Sequence, residues 1–136
     1  MASYQKMGYA IDQWLSSDQA LPNATSGDST NTVTLNNTKG NDLRVVVCAG
    51  STTVELANSA TLEIQPVVGA TDEPDVVLPS ILIKEGSQTT ASWASGTPIT
   101  EFIVPASLIG ANRYLKLTYI TSADESADKV DAFITV

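Results

Sequence analysis

Residues 113–120 read Arg-Tyr-Leu-Lys-Leu-Thr-Tyr-Ile. Leu115, Leu117 and Tyr119 fall on one face of an extended chain, and Tyr114, Lys116 and Thr118 on the other. That period of two is the mark of a strand with one face buried, and no helix accommodates it. Similar short runs recur along the chain. Thr32-Val33-Thr34-Leu35 alternates, and Leu43 to Ala49 is apolar on both faces. Ala60 to Gln65 buries Leu62 and Ile64, while Val54 and Leu56 mark the approach to it. Val76 to Leu78 and Ile81 to Ile83 flank Pro79, Ile99 to Val104 aims Phe102 and Val104 inward, and Val130 to Val136 aims Val130, Ala132, Ile134 and Val136 inward. About eight short strands at a spacing of roughly 8–12 residues predict an all-β domain, an antiparallel β-sandwich of jelly-roll type.

The connections carry turn chemistry. Residues 37–42 are Asn-, Lys- and Gly-bearing turn residues, Pro66 to Pro74 reads as a loop, and Lys84 to Gly96 is turn-rich around Trp93. Proline cannot donate to a central ladder, so Pro79 predicts an edge or a break between two strands. Pro105 to Asn112 predicts a loop or one helical turn. The strand 43–49 is read either as mid-sheet or as a strand whose outer face, with Val46 and Cys48, meets another chain. Residues 1–31 are sparse in apolar side chains and read as an arm plus first-strand region, ahead of a sandwich over 32–136. Ile11, Trp14 and Leu15 are spaced for a helical turn, and extended structure fits as well.

Composition narrows the chemistry. The 136 residues contain no histidine and one cysteine, which excludes Ser-His-Asp and Cys-His catalysis, histidine-ligated metals and an intrachain disulfide. Cys48 lies in an apolar run and reads as a buried, inert thiol. The net charge is −8, with seven scattered cations, so nucleic acid and anionic lipid are repelled. No apolar run approaches the ~20 residues of a membrane-spanning helix, and the first residues show no signal-peptide pattern. No nucleotide-binding or nucleophile-elbow motif occurs. Fifteen acids offer many carboxylate pairs, but none is singled out for glycoside hydrolysis. The oxygen-rich loops 72–75 and 124–128 lack the ligand spacing of a calcium loop. No cofactor is expected, and an enzyme is disfavoured.

The order of several motifs then becomes informative. Tyr9-Ala-Ile-Asp-Gln-Trp-Leu-Ser-Ser-Asp-Gln-Ala-Leu21 precedes Leu-Arg-Val-Val-Val at 43–47 and Thr-Leu-Glu-Ile-Gln at 61–65. Phe102-Ile-Val-Pro105, the strand 113–119 and Lys129-Val-Asp-Ala-Phe-Ile134 follow. In this order they resemble the jelly-roll cement (decoration) proteins of tailed-bacteriophage capsids, over residues 9 to 134. The resemblance implies a virion protein on the capsid exterior, assembled in the host cytoplasm. It would be a homodimer or homotrimer that bridges neighbouring major capsid proteins, with no catalytic residues. Candidate subunit or capsid contacts are Tyr9, Ile11, Trp14 and Leu15 of the arm, with Val46, Trp93 and Tyr114. The rival reading is a carbohydrate-binding sandwich with a platform built from Trp14, Trp93 or Tyr114.

Overall fold

The computed structural model describes residues 14–35, 42–84 and 89–135. The front sheet has four strands in the order β1 (Trp14–Ala20), β12 (Lys129–Thr135), β4 (Leu43–Ala49), β10 (Pro98–Val104). In the back sheet β11 (Tyr114–Thr121) lies beside β6 (Leu62–Gly69). The far side of β11 is shared by β2 (Ser26–Asp28) and β3 (Val33–Thr34), and the far side of β6 by β7 (Val76–Val77) and β8 (Ile81–Lys84). A separate ribbon pairs β5 (Val54–Leu56) with β9 (Ala91–Trp93), and one short helix, α1 (Ala106–Ile109), follows β10.

Counting β2 with β3 and β7 with β8 as single positions, and setting the ribbon aside, leaves eight strands in chain order. The front sheet then reads 1-8-3-6 and the back sheet 2-7-4-5, with antiparallel pairing throughout. That interleaving of two Greek keys is the jelly roll, as the strand spacing predicts.

The core lies between the sheets. Leu43, Val45, Val47, Val130, Ala132 and Ile134 point back from the front sheet, and Leu62, Ile64, Leu115, Leu117 and Tyr119 point forward from the other. Burying each such aliphatic side chain contributes roughly 1.5–3 kcal/mol. The inward faces are those the alternation assigns, and Val136 lies outside the described residues.

One expectation is corrected. The loop expected from Pro66 is strand, because β6 runs on to Gly69. Leu78 N donates to Pro66 O at 2.9 Å, so the side of Pro66 that lacks an N–H faces the break between β7 and β8, where no ladder needs it. Of the two readings of strand 43–49 the mid-sheet one holds: β4 lies between β12 and β10, and its outer face is covered by the chain itself. Val46 and Cys48 pack with Trp14 and Phe133, whose rings lie 4.9 Å apart. Within residues 14–31, β1 pairs with β12 and β2 with β11, and Leu15 and Leu21 belong to the main core.

Candidate functional site

The two lateral edges of the sandwich differ sharply. On one side β1 is heavily blunted. Its pairing to β12 shifts register twice, and Asp18 sits at φ 51° inside the second irregularity. The Asp18 carboxylate accepts from Ser51 N at 2.8 Å and Ser51 Oγ at 2.9 Å, and Asp18 N donates to Asp131 Oδ1 at 2.6 Å. Gln19 Oε1 accepts from Thr30 N and Thr30 Oγ1, and its Nε2 donates to Asp28 O. Ser16 Oγ meets Tyr119 OH at 2.7 Å, in the interior between the sheets. The Ser-Ser-Asp-Gln-Ala-Leu segment that carries much of the family resemblance is therefore a clamp that holds the first strand to its neighbours.

The opposite edge is open. From Thr100 to Val104, β10 pairs with β4 in unbroken register, and among the described strands β10 is the last of the front sheet. Behind it end β7 and β8, separated by Pro79. Between these strand ends runs a groove of about 240 Å³, lined by Leu78, Ile81, Phe102, Ile103, Pro105 and Leu108 among others, with Ser80 as its one polar residue. The large hydrophobic side chains that stay exposed among the described residues all belong to this side: Val76, Val77 (58%), Leu82, Ile103 (50%) and Leu108. Isolated exposed apolar residues are ordinary, but several on one side of the sandwich, with Ile103 and Leu108 lining the groove itself, mark an interaction surface. Charged groups beside it include Arg44 and Glu101, 3.9 Å apart and partly exposed, a pair that contributes little to stability, and Asp42, which accepts from Ala106 N at the start of α1.

The residues proposed from sequence fall elsewhere. Tyr9 and Ile11 lie outside the described residues. Trp14 (3% exposed) and Val46 (0%) come together, but in the closed outer cluster of the front sheet, and Leu15 (0%) is in the main core. Their side chains hold the subunit's own fold and leave no surface for a partner. Trp93 is half-buried on β9, against the core, and Tyr114 is half-buried on β11. A sugar platform that includes Trp14 is therefore ruled out by burial. The apolar edge itself was missed. Its signal was present in the apolar runs 76–78 and 81–83 on either side of Pro79, since proline marks an edge and leucine or valine at an edge is exposed.

Other reactive groups are tied into the scaffold. Burial, with help from Asp131 and Glu101, pushes the Cys48 thiol up to about 11, so it stays protonated. Lys84 is buried, with Nζ donating to Asn58 O and Ala60 O. Glu125 is 7% exposed, and burial together with Asp128 and Asp124 pushes its carboxyl up to about 7, against a smaller opposing pull from Lys84. Asp124 caps its own loop by accepting from Ser126 N and Oγ. Among the described residues no group of three Asp, Glu or Cys is placed to hold a metal ion.

Fold and edge together define a jelly-roll domain with one open apolar margin. No known protein-family model matches the chain, and no curated protein matches it. Among solved structures it is similar to one titled "Structure of infectious bursal disease virus Gx strain", at a TM-score of 0.39 and 12% identity, over 89% of this chain and 30% of that one. So the chain spans under a third of that protein's length. A likeness this low bears no weight for function, and the fold assignment rests on the strand order.

Proposed function

We propose that this protein is a structural virion component. It binds the outer surface of a tailed-phage capsid as a homo-oligomer and cements adjacent major capsid proteins. The observation that carries this reading is the open apolar edge of a jelly roll whose reactive side chains serve the fold. A surface of that kind asks to be covered, which is the property of a part in an assembly. Jelly rolls recur in viral shells, an analogy at the level of fold that supports the same reading. A net charge of −8 suits a surface turned to solvent, away from packaged DNA. Many weak contacts repeated over one shell reinforce one another through avidity. The residues before β1, with Tyr9 and Ile11, are the proposed capsid contact.

Co-sedimentation with empty shells of the cognate major capsid protein tests this. Binding should saturate at a fixed ratio of protein to shell subunit. Removing residues 1–12 should abolish it while the circular dichroism spectrum stays unchanged. The truncation stops short of Trp14 and Leu15 because both are core residues. Failure to co-sediment, together with saturable binding to a glycan array, would replace this reading with the carbohydrate-binding one.

A further inference from the structure

We infer that the loop 122–128, which joins β11 to β12, is a pH-dependent latch: Glu125 donates a carboxyl proton to Asp128, and loss of that proton frees the loop from the two segments it fastens. This goes beyond the capsid reading and does not depend on it.

The loop is a junction. On one side Glu125 N donates to Pro22 O at 3.2 Å and Leu21 N to Asp128 O at 2.9 Å, which fixes the chain between β1 and β2. On the other, Glu55 N donates to Asp128 Oδ2 at 3.2 Å, which ties in β5. Asp128 N closes the turn on Glu125 O at 2.9 Å. Three stretches far apart in sequence are thus joined through Glu125 and Asp128, and both are acids.

Glu125 is poorly placed for a charge. It is buried on a loop whose Asp124, Ser126 and Ala127 are exposed, so its side chain turns in from the surface. There it is hydrogen-bonded to the Asp128 side chain, carboxyl to carboxyl. Such a contact needs a proton, because two carboxylates at that range repel. The charged groups that face Glu125 are Asp128 and Asp124 from its own loop and Lys84 from β8, and residues 21–24 bring none. Lys84 Nζ donates to Asn58 O at 3.1 Å and Ala60 O at 3.0 Å, which directs its charge to that turn, and it offsets the two aspartates only in part.

With the proton in place, Asp128 accepts from Glu125 on one side and from Glu55 N on the other. Without it the contact between the two carboxyls becomes repulsive, and Glu125 must carry a charge where water reaches it poorly. Outward rotation of the loop relieves both, and it gives up the bonds to Pro22, Leu21 and Glu55. β11 and β12 keep their ladders to β6 and β4, so the opening is local. Desolvation, more than any neighbour, pushes the Glu125 carboxyl up to about 7. The latch is therefore closed in mild acid and opens as pH rises through neutrality.

The test is an NMR titration of the full chain from about pH 5 to 9. It follows the Glu125 carboxyl carbon together with the amides of Leu21, Glu55, Glu125 and Asp128. The carboxyl should titrate near 7, and the four amides should shift with the same midpoint. Their hydrogen exchange, corrected for the intrinsic effect of pH, should quicken at least ~10-fold, the factor that one pKa unit represents. Amides in the β11–β6 and β12–β4 ladders should hold their protection. In Glu125→Gln the side-chain amide offers Asp128 a donor at every pH, so the four amides should stay as they are in acid. In Asp128→Asn the Glu125 midpoint should fall. A wild-type Glu125 midpoint in the ordinary carboxylate range, four amides whose exchange ignores that midpoint, or protection lost equally in both sheets would each overturn the inference. So would a Glu125→Gln protein that still titrates like the wild type, or a Glu125 midpoint unmoved by Asp128→Asn. The wild-type titration alone decides the matter if a variant fails to fold.

Discussion

Ser16 and Tyr119 meet through their hydroxyls in the interior between the two sheets, and among the described residues Ser16 is the partner of the Tyr119 hydroxyl. Burial drives the Tyr119 pKa upward, so the phenol stays neutral at any ordinary pH. Ser16→Ala should therefore cost about 1–3 kcal/mol, the penalty for stranding a buried donor, read from urea unfolding. Ser16→Ala with Tyr119→Phe should cost less than the two single changes added together. Glu125 supplies a pH signature. Its folded pKa of about 7 lies above the ordinary 4.5, so the folded chain holds this proton more tightly than the unfolded one. The resulting contribution is complete below about pH 4.5 and is lost as pH rises through 7. Melting temperature should fall across that interval, and Glu125→Gln should flatten the fall. Asp28 acts in a different window. The Lys116 ammonium, 2.9 Å away, and the Thr118 hydroxyl hold its carboxyl below the usual aspartate range, so its contribution is lost only in more acid solution.

The β6–β7 hairpin shows what one missing side chain permits. A Cβ at Gly69 would come within 2.6 Å of Pro74 Cα, a backbone atom that cannot swing aside. Gly69→Ala should cost about 1–3 kcal/mol, as overpacking does, and should raise the exposure of β7, seen as faster amide exchange at Val76 and Val77. Strands were legible in the sequence wherever only one face is buried. β11 alternates cleanly, and its inward residues follow directly. Legibility failed where both faces are covered. The period of two is silent on whether Val46 meets a partner or the chain's own Trp14, because both look apolar. It failed again at Pro66, where what matters is which side of the strand lacks a neighbour, a property of sheet order. The clamp of Asp18 and Gln19 was visible as an unusual string of letters but not as hydrogen bonds, since Ser51, Thr30 and Asp131 are distant in sequence. Pro79 and its apolar flanks mark one side of the open edge locally, but that β10 lies beside them depends on which strands come last in each sheet, a property of topology.

Taken whole, the jelly roll is built from remote pairings: the first described strand lies on the last, and β4 sits between β12 and β10. Closing such long loops before any contact rewards them makes folding slow, on the millisecond-to-second scale. Trp14 stacks on Phe133, contributed by the far end of the chain, so its fluorescence should reach the native value only in the last phase of stopped-flow refolding. A native Trp14 signal within the mixing dead time would contradict that order of events. The same stacking has a practical side. Because Trp14 and Phe133 are cross-strand partners, the start of the first described strand lies beside the end of the last. In a chain trimmed to residues 14–135 a short linker across that gap would make the backbone circular, and new ends could be cut in the exposed turn at 71–73. By the same geometry the domain could be planted as an insert inside a surface loop of another protein, with its free edge turned to the opposite side.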